Sequence, residues 1–319
     1  MVTGKGGTGK TTVASALALA LATGGQRVLL TEVEGRQQIA QVFDTPPLAY
    51  RERRVASAPG GGEVYALAVD PEEALLEYLE MFYNLRGAGK VLGKIGAIDF
   101  ATTIAPGVRD VLLTGKIKEA VTRRREGRPV YDAVVVDAPP TGRITRFLNV
   151  TGEMGQLARS GPIKTQSDGV MAVLKSPQTA VHLVTLLEDM PVQETADAIA
   201  ELTKAGLPIG SVVVNMATEP VLPVDAMSRA ADGELSGADL APALAAAHLP
   251  GGTALADALA AEVVEHAQRW AAQDDLRDEV EALGRPTIEL PLMPGPMDVG
   301  CVFELAGRLE EHLRNEVAA

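Results

Sequence analysis

The chain is short of cysteine, histidine, long apolar runs and, in its second half, positive charge. A single cysteine, Cys301, in 319 residues excludes a disulfide framework and a cysteine-based metal site within one chain. The four histidines, His182, His248, His266 and His312, are scattered without metal-ligand spacing and read as surface or core residues. The apolar run "VASALALALA" (13–22) is shorter than the roughly 20 residues that span a bilayer. It reads as a buried helix. No signal peptide is visible, and a cytoplasmic protein is expected. Net charge is −13 and unevenly spread: residues 1–187 hold 22 basic and 18 acidic residues, residues 188–319 hold 7 and 24. General nucleic-acid binding rests on phosphate neutralisation, so an acidic chain of this kind is a poor candidate for it.

What is present is an alternation of apolar runs with helical patterns. "RVLLTEV" (27–33), "EVYALAV" (63–69), "VYDAVVVD" (130–137), "TAVHLVTL" (179–186), "IGSVVVN" (209–215) and "TIELPL" (287–292) read as strands. Several are continuously apolar and β-branched, as in strands covered on both faces. Helical sequence between them predicts an α/β fold, a mostly parallel sheet with helices on both faces. Residues 71–126 and 147–178 are too long for simple crossovers. They predict inserted helical segments that together form a subdomain on one single domain spanning 1–319. Asp70 and Pro71 mark a helix start, as cap and first helical residue. The stretch 218–253, rich in Ala, Asp, Pro and Gly, reads as a mobile insertion with one or two short helices.

"GKGGTGKTT" (4–12) satisfies the phosphate-loop pattern G-x-x-x-x-G-K-[ST] through Gly4, Gly9, Lys10 and Thr11. Gly6, Gly7, Thr8 and Gly9 let backbone amides turn toward phosphate oxygens, and the following helix, with Thr12 in its first turn, aims its positive end at the same anion. Lys10 is expected on the β- and γ-phosphates and the Thr11 hydroxyl on Mg²⁺. Asp137, closing an apolar strand, is expected to hold Mg²⁺ through water. The turn Pro140–Thr141–Gly142 that follows is placed to sense the γ-phosphate of ATP against ADP. Asp132, at the start of the same strand, reads as a turn residue. A carboxylate pair, Glu32 and Glu34, ends the second strand. From the chemistry alone, either could orient the attacking water, or both could be solvated loop charges.

Together these motifs resemble the deviant Walker A ATPases, whose signature lysine matches Lys5. More narrowly, "VVVDAPPTGRITRFL" (134–148) is similar to the D-T-A-P-T-G-H-T-L-R-F-L element of arsenite-pump ATPases and of the guided-entry ATPases that target tail-anchored membrane proteins. Arg143 stands in place of the family's histidine. "APGVRD" (105–110) and "SPQTAVHLVTLLEDMPVQET" (176–195) continue the resemblance. Asn215 matches the family's adenine-recognising asparagine, and "LPLMPGP" (290–296), with Pro291, Met293 and Pro294, the loop flanking the base. Against the family's V-L-L-I-S-T-D-P-A-H, Glu34 takes the place of the water-positioning aspartate, which favours Glu34 over Glu32 as the catalytic carboxylate.

The resemblance implies ATP and ADP as ligands with Mg²⁺. It also implies a dimer, of identical chains or with a paralogous ATPase, in which Lys5 reaches the partner's phosphates. Closure of the dimer would reshape a surface for a hydrophobic membrane-protein client. Tyr78, Phe82, Tyr83 and Phe100, with apolar neighbours, mark the candidate client stretch, although ordinary helix packing explains them as well. No zinc is expected, because the C-x-x-C motif of the eukaryotic guided-entry ATPases is absent. Two other functions remain open on sequence: a partitioning or septum-positioning ATPase, and a nucleotide-gated binding protein with negligible turnover. The acidic tail "ELAGRLEEHLRNEVAA" disfavours membrane docking. The basic run "RRREGR" (123–128) reads as a solvated helix end. "MVT" supplies at most half a strand before the phosphate loop, so either the natural start is expected further upstream or a clipped central strand costs the chain stability.

Overall fold

The computed structural model describes residues 1–83, 108–148 and 162–318. In chain order the elements are β1 Val2–Gly4, α1 Lys10–Ala22, β2 Arg27–Glu32, α2 Gln38–Val42, β3 Arg53–Ser57, β4 Glu63–Ala68 and α3 Pro71–Tyr83. Then come α4 Val108–Thr122, the short strands β5 Arg124–Arg125 and β6 Arg128–Pro129, β7 Ala133–Asp137, α5 over 141–148 and α6 Pro162–Leu174. The remainder is β8 Val181–Thr185, α7 Asp189–Lys204, β9 Ile209–Ala217, α8 Val224–Ala231, α9 Gly237–Ala246, α10 Gly252–Ala272, α11 Asp274–Glu281, β10 Thr287–Pro291 and α12 Val299–Ala318.

Eight strands form one sheet in the order β10-β9-β8-β1-β7-β2-β4-β3. Its neighbours are parallel except β3, which runs antiparallel to β4 at the edge. The continuous apolar runs follow from burial on both faces. Along β2, Val28 and Leu30 face α1 and α12, while Leu29 faces the layer of α4, α5, α6 and α7, and all three are fully buried. The period-2 alternation of side chains therefore feeds two cores. Helix α1 is buried nearly all round, which its Ala/Leu composition permits.

All six strands read from the sequence are present. The edge strand β3 was missed: its sequence, RRVAS, carries two arginines and lacks an apolar run. The stretch 218–253 contains two short helices, as expected, α8 and α9. Both pack on α10, and Met227 and Ala230 of α8 are buried against Ala267 of α10. The run 123–128 is corrected: it is a two-stranded hairpin, and Arg123 is tied to Glu119 and Glu52. Asp70 caps α3, its Oδ1 accepting from the amides of Glu72 and Glu73 at 2.9 and 3.0 Å. Much of the candidate client stretch, including Phe100, lies outside the described residues. Among the described residues no helix is long and apolar enough to cross a membrane.

Candidate functional site

β1 sits between β7 and β8, and its three residues leave the sheet directly into the phosphate loop. In parallel sheets ligands bind beyond the carboxyl ends of the strands, and the loops after β1, β2, β7, β9 and β10 all emerge on that side. Close approach explains two of the loop's glycines. A Cβ on Gly4 would stand 2.1 Å from the Val184 carbonyl oxygen, and one on Gly9 2.3 Å from Asn215 Nδ2. Gly9 also has φ +83°, left-handed backbone that a side chain resists. It precedes α1 without a side-chain cap, so the amides of Lys10, Thr11 and Thr12 face outward for an anion. Lys10 Nζ donates to the Lys5 carbonyl at 3.0 Å, arching over the loop. Burial lowers its pKa, while Asp137 and Glu34 oppose that shift.

Three carboxylates gather beside the loop. The Thr11 hydroxyl lies 2.6 Å from Asp137 Oδ2 and 3.0 Å from Gln38 Oε1. Burial pushes the Asp137 carboxyl up to about 6; the Thr11 hydroxyl and Lys10 oppose this, and Glu32 and Glu34 add to it. Glu32 is 2 % exposed, and its Oε1 accepts from the Gln38 amide at 3.3 Å. Glu34 is held by two arginines, Arg143 at 2.9 Å and Arg36 at 3.5 Å. Glu34 and Arg143, two of the positions that depart from the family's pattern, thus meet in space. Asp132 behaves as read: its Oδ2 accepts from the Arg27 amide at 2.8 Å, at the start of β2.

Lys5 pairs with Glu194 of α7 at 3.0 Å, and the other oxygen of Glu194 is 3.4 Å from the Thr141 hydroxyl. Glu194 thereby touches both the phosphate loop and the turn after β7. That turn is anchored to β1, since the Thr3 hydroxyl donates to the Pro139 carbonyl at 2.6 Å. Pro140 accepts from the amides of Arg143 and Ile144, starting α5. Gly142 is exposed, with open space around it.

At the far end of the loop, buried Asn215 donates from Nδ2 to the Thr8 carbonyl at 2.9 Å. Part of its amide is thus spent holding the loop. The loop carrying Pro291, Met293 and Pro294 is tied to β9 by the Leu292 amide on the Ala217 carbonyl at 3.0 Å. Within it Met293 packs into the core, and Pro294 is exposed. Three neighbours were not singled out from sequence. Gln38 carries no motif of its own, and Glu194 was quoted only as part of the family-like stretch 176–195, without a role. Met216 is a partly exposed residue at φ +56° whose side chain approaches Gly9, and its signal was its place directly after Asn215. Among the described residues no three His, Cys, Asp or Glu side chains converge to hold a metal. A Mg²⁺ bound with nucleotide needs no such cage, because it keeps several waters and uses one or two carboxylates plus phosphates.

A family model described as "Anion-transporting ATPase" matches residues 1–175. The chain is 54 % identical over 316 residues to "ATPase BagA" of Mycobacterium tuberculosis, covering 98 % of this chain and 92 % of that protein. It is 30 % identical over 232 residues to the "Arsenical pump-driving ATPase" of Acidiphilium multivorum, covering 67 % of this chain and 38 % of that protein. To the "ATPase get3" of Schizosaccharomyces japonicus it is 26 % identical over 247 residues, covering 67 % and 72 %.

Proposed function

We infer that this chain, which belongs to the anion-transporting ATPase family and is an ATPase, hydrolyses ATP in a dimer whose two sites each borrow Lys5 from the partner. The observation that carries the nucleotide site is the pairing of Thr11 with Asp137 at 2.6 Å beside the uncapped start of α1, with Lys10 arched over the loop. Gly4 to Thr12 cradle the phosphates, and Lys10 meets their β- and γ-oxygens. Thr11 would hold Mg²⁺ directly and Asp137 through water. The cation supplies charge neutralisation on the phosphates. Glu34 orients the attacking water once a γ-phosphate draws Arg143 and Arg36 toward itself. Pro140, Thr141 and Gly142 report whether that phosphate is present. Asn215, Pro291, Met293 and Pro294 border the base.

Lys5 supports the dimer reading through its present partner. Its pair with Glu194 is about one-third exposed on both sides, and pairs of that kind are worth about 0–1 kcal/mol. A phosphate across a dimer interface competes with it readily. Because Glu194 also touches Thr141, release of Lys5 changes the charge balance at a side chain that contacts the turn after β7. We further propose that 71–126 and 147–178 are helical subdomain insertions of a single ATPase domain, and that this subdomain handles hydrophobic or membrane-protein clients. Family membership supports that role.

The test is Lys5→Ala, assayed for ATP turnover, nucleotide binding and ATP-dependent association. Turnover is expected to be lost while ATP-dependent association is kept and ADP affinity stays within roughly threefold of wild type, since a trans cation of the arginine-finger kind contributes about 10³-fold or more to phosphoryl transfer. Full turnover in Lys5→Ala would refute the trans role.

A further inference from the structure

The carboxyl of Glu32 has no use in the account above, yet it is the most buried of the three at the site. Its Oε2 is shielded from solvent and has no hydrogen-bond partner among the described residues. Its Oε1 has one weak contact, the Gln38 amide at 3.3 Å. Leaving a buried polar atom unmatched costs about 1–3 kcal/mol, and more for a charged group. Folded proteins rarely keep one without a use.

Its position says what the use is. β2 and β7 are parallel neighbours, and Glu32 is in register with Asp137. Register partners in adjacent parallel strands project to the same face, about 4.8 Å apart. The flanking residues agree: Val28 and Leu30 on β2 and Val135 on β7 all pack into the core on the α1 side. Glu32 therefore shares the face on which Asp137 meets Thr11. Gln38 closes the circle, its amide on Glu32 and its side-chain oxygen on the Thr11 hydroxyl. Lys10, whose charge acts on Asp137, donates to the Lys5 carbonyl instead. The partner missing from this corner is a hydrogen-bond donor that arrives with positive charge.

We propose that Glu32 is a positioning residue for Mg²⁺: its free Oε2 accepts a hydrogen bond from the hydration shell of the cation, beside Asp137. The cation sheds its waters reluctantly, so an outer carboxylate can hold it without direct ligation. Outer-shell partners of this kind change metal affinity by about 10–100-fold. Glu32 would also carry the event to the loop after β2, because Gln38 begins α2. The inference rests on the Mg²⁺–nucleotide reading above and goes beyond it in assigning Glu32.

The experiment is a Mn²⁺ titration of the full chain with ADP, followed by electron paramagnetic resonance, beside ADP affinity measured in EDTA. For Glu32→Gln we expect Mn²⁺ affinity to fall by about 10-fold or more, with EDTA-state ADP affinity retained. Unchanged Mn²⁺ affinity would overturn the proposal, as would an equal loss of metal-free affinity, which a merely structural role produces. Glu32→Asp keeps the charge and shortens its reach by one methylene. It serves as the second variant if Glu32→Gln folds poorly, with the same two readings. Failure of the underlying site is separable: wild type that binds ADP equally with and without metal would sink the Mg²⁺–nucleotide reading itself.

Discussion

Glu34 is gripped by Arg143 and Arg36, and the strength of that grip decides how it can act. The Arg143 side chain is 63 % exposed, so the pair contributes about 0–1 kcal/mol, and a triphosphate displaces it easily. Glu34→Gln is therefore expected to bind ATP as wild type does and to lose turnover by about 100-fold, the usual scale for a positioned base or water-orienting group. Single-turnover hydrolysis checks this, and a wild-type rate would remove Glu34 from the reaction. The sequence marked Glu34 by its place at the position of the family's aspartate and marked Arg143 as a substitution. It could not show that the two meet, because they lie 109 residues apart. The parking of Lys5 on Glu194 was equally invisible, since no spacing rule links a phosphate loop to a glutamate on α7.

Among the elements, the buried strands were the most legible. β2, β7, β8 and β9 carry continuous apolar runs because both their faces are covered. β3 was not legible, because an exposed edge strand carries neither an apolar run nor a motif. The helices α8 and α9 were read only as one or two short helices without bounds, because Ala, Asp, Pro and Gly blur the pattern, although Ser236 and Asp239 form a capping box that marks the start of α9. β8 also carries a pH prediction. His182 lies on it, and its Nδ1 accepts from the Ser211 amide. Burial, followed by the Met1 amine, lowers its pKa from 6.5 to about 4. The unfolded chain then binds a proton between those values that the folded chain refuses, so stability falls as pH drops from 6.5 to 4. Below pH 4 no further loss comes from this group. The full effect is up to about 3 kcal/mol. Asp137, its folded carboxyl pushed up to about 6, contributes the opposite slope in that range, so urea unfolding reads the histidine as the difference between wild type and a His182 variant. His182→Gln, which keeps an acceptor for Ser211, is expected to remove the histidine's share of the slope, and a slope unchanged from wild type would count against the assignment.

For the whole molecule, the phosphate loop, the strand-end aspartate and the late asparagine lie far apart in the chain, yet one sheet brings them to the same edge. That convergence was legible because each motif sits at the carboxyl end of a parallel strand. The proposed dimer rests on Lys5 and the family resemblance alone, since a single chain carries no image of its partner. The measurement that tests the trans arrangement most directly is subunit mixing. Lys5→Ala and Glu34→Gln are each expected to be inactive alone. A mixed dimer rebuilds one complete site, with Glu34 from the first chain and Lys5 from the second. With random exchange, half of the dimers are mixed and each has one working site, so mixing should restore about a quarter of wild-type turnover. If Lys5 acts within its own chain, neither site of the mixed dimer is complete. A mixture as inactive as its components would then contradict the account.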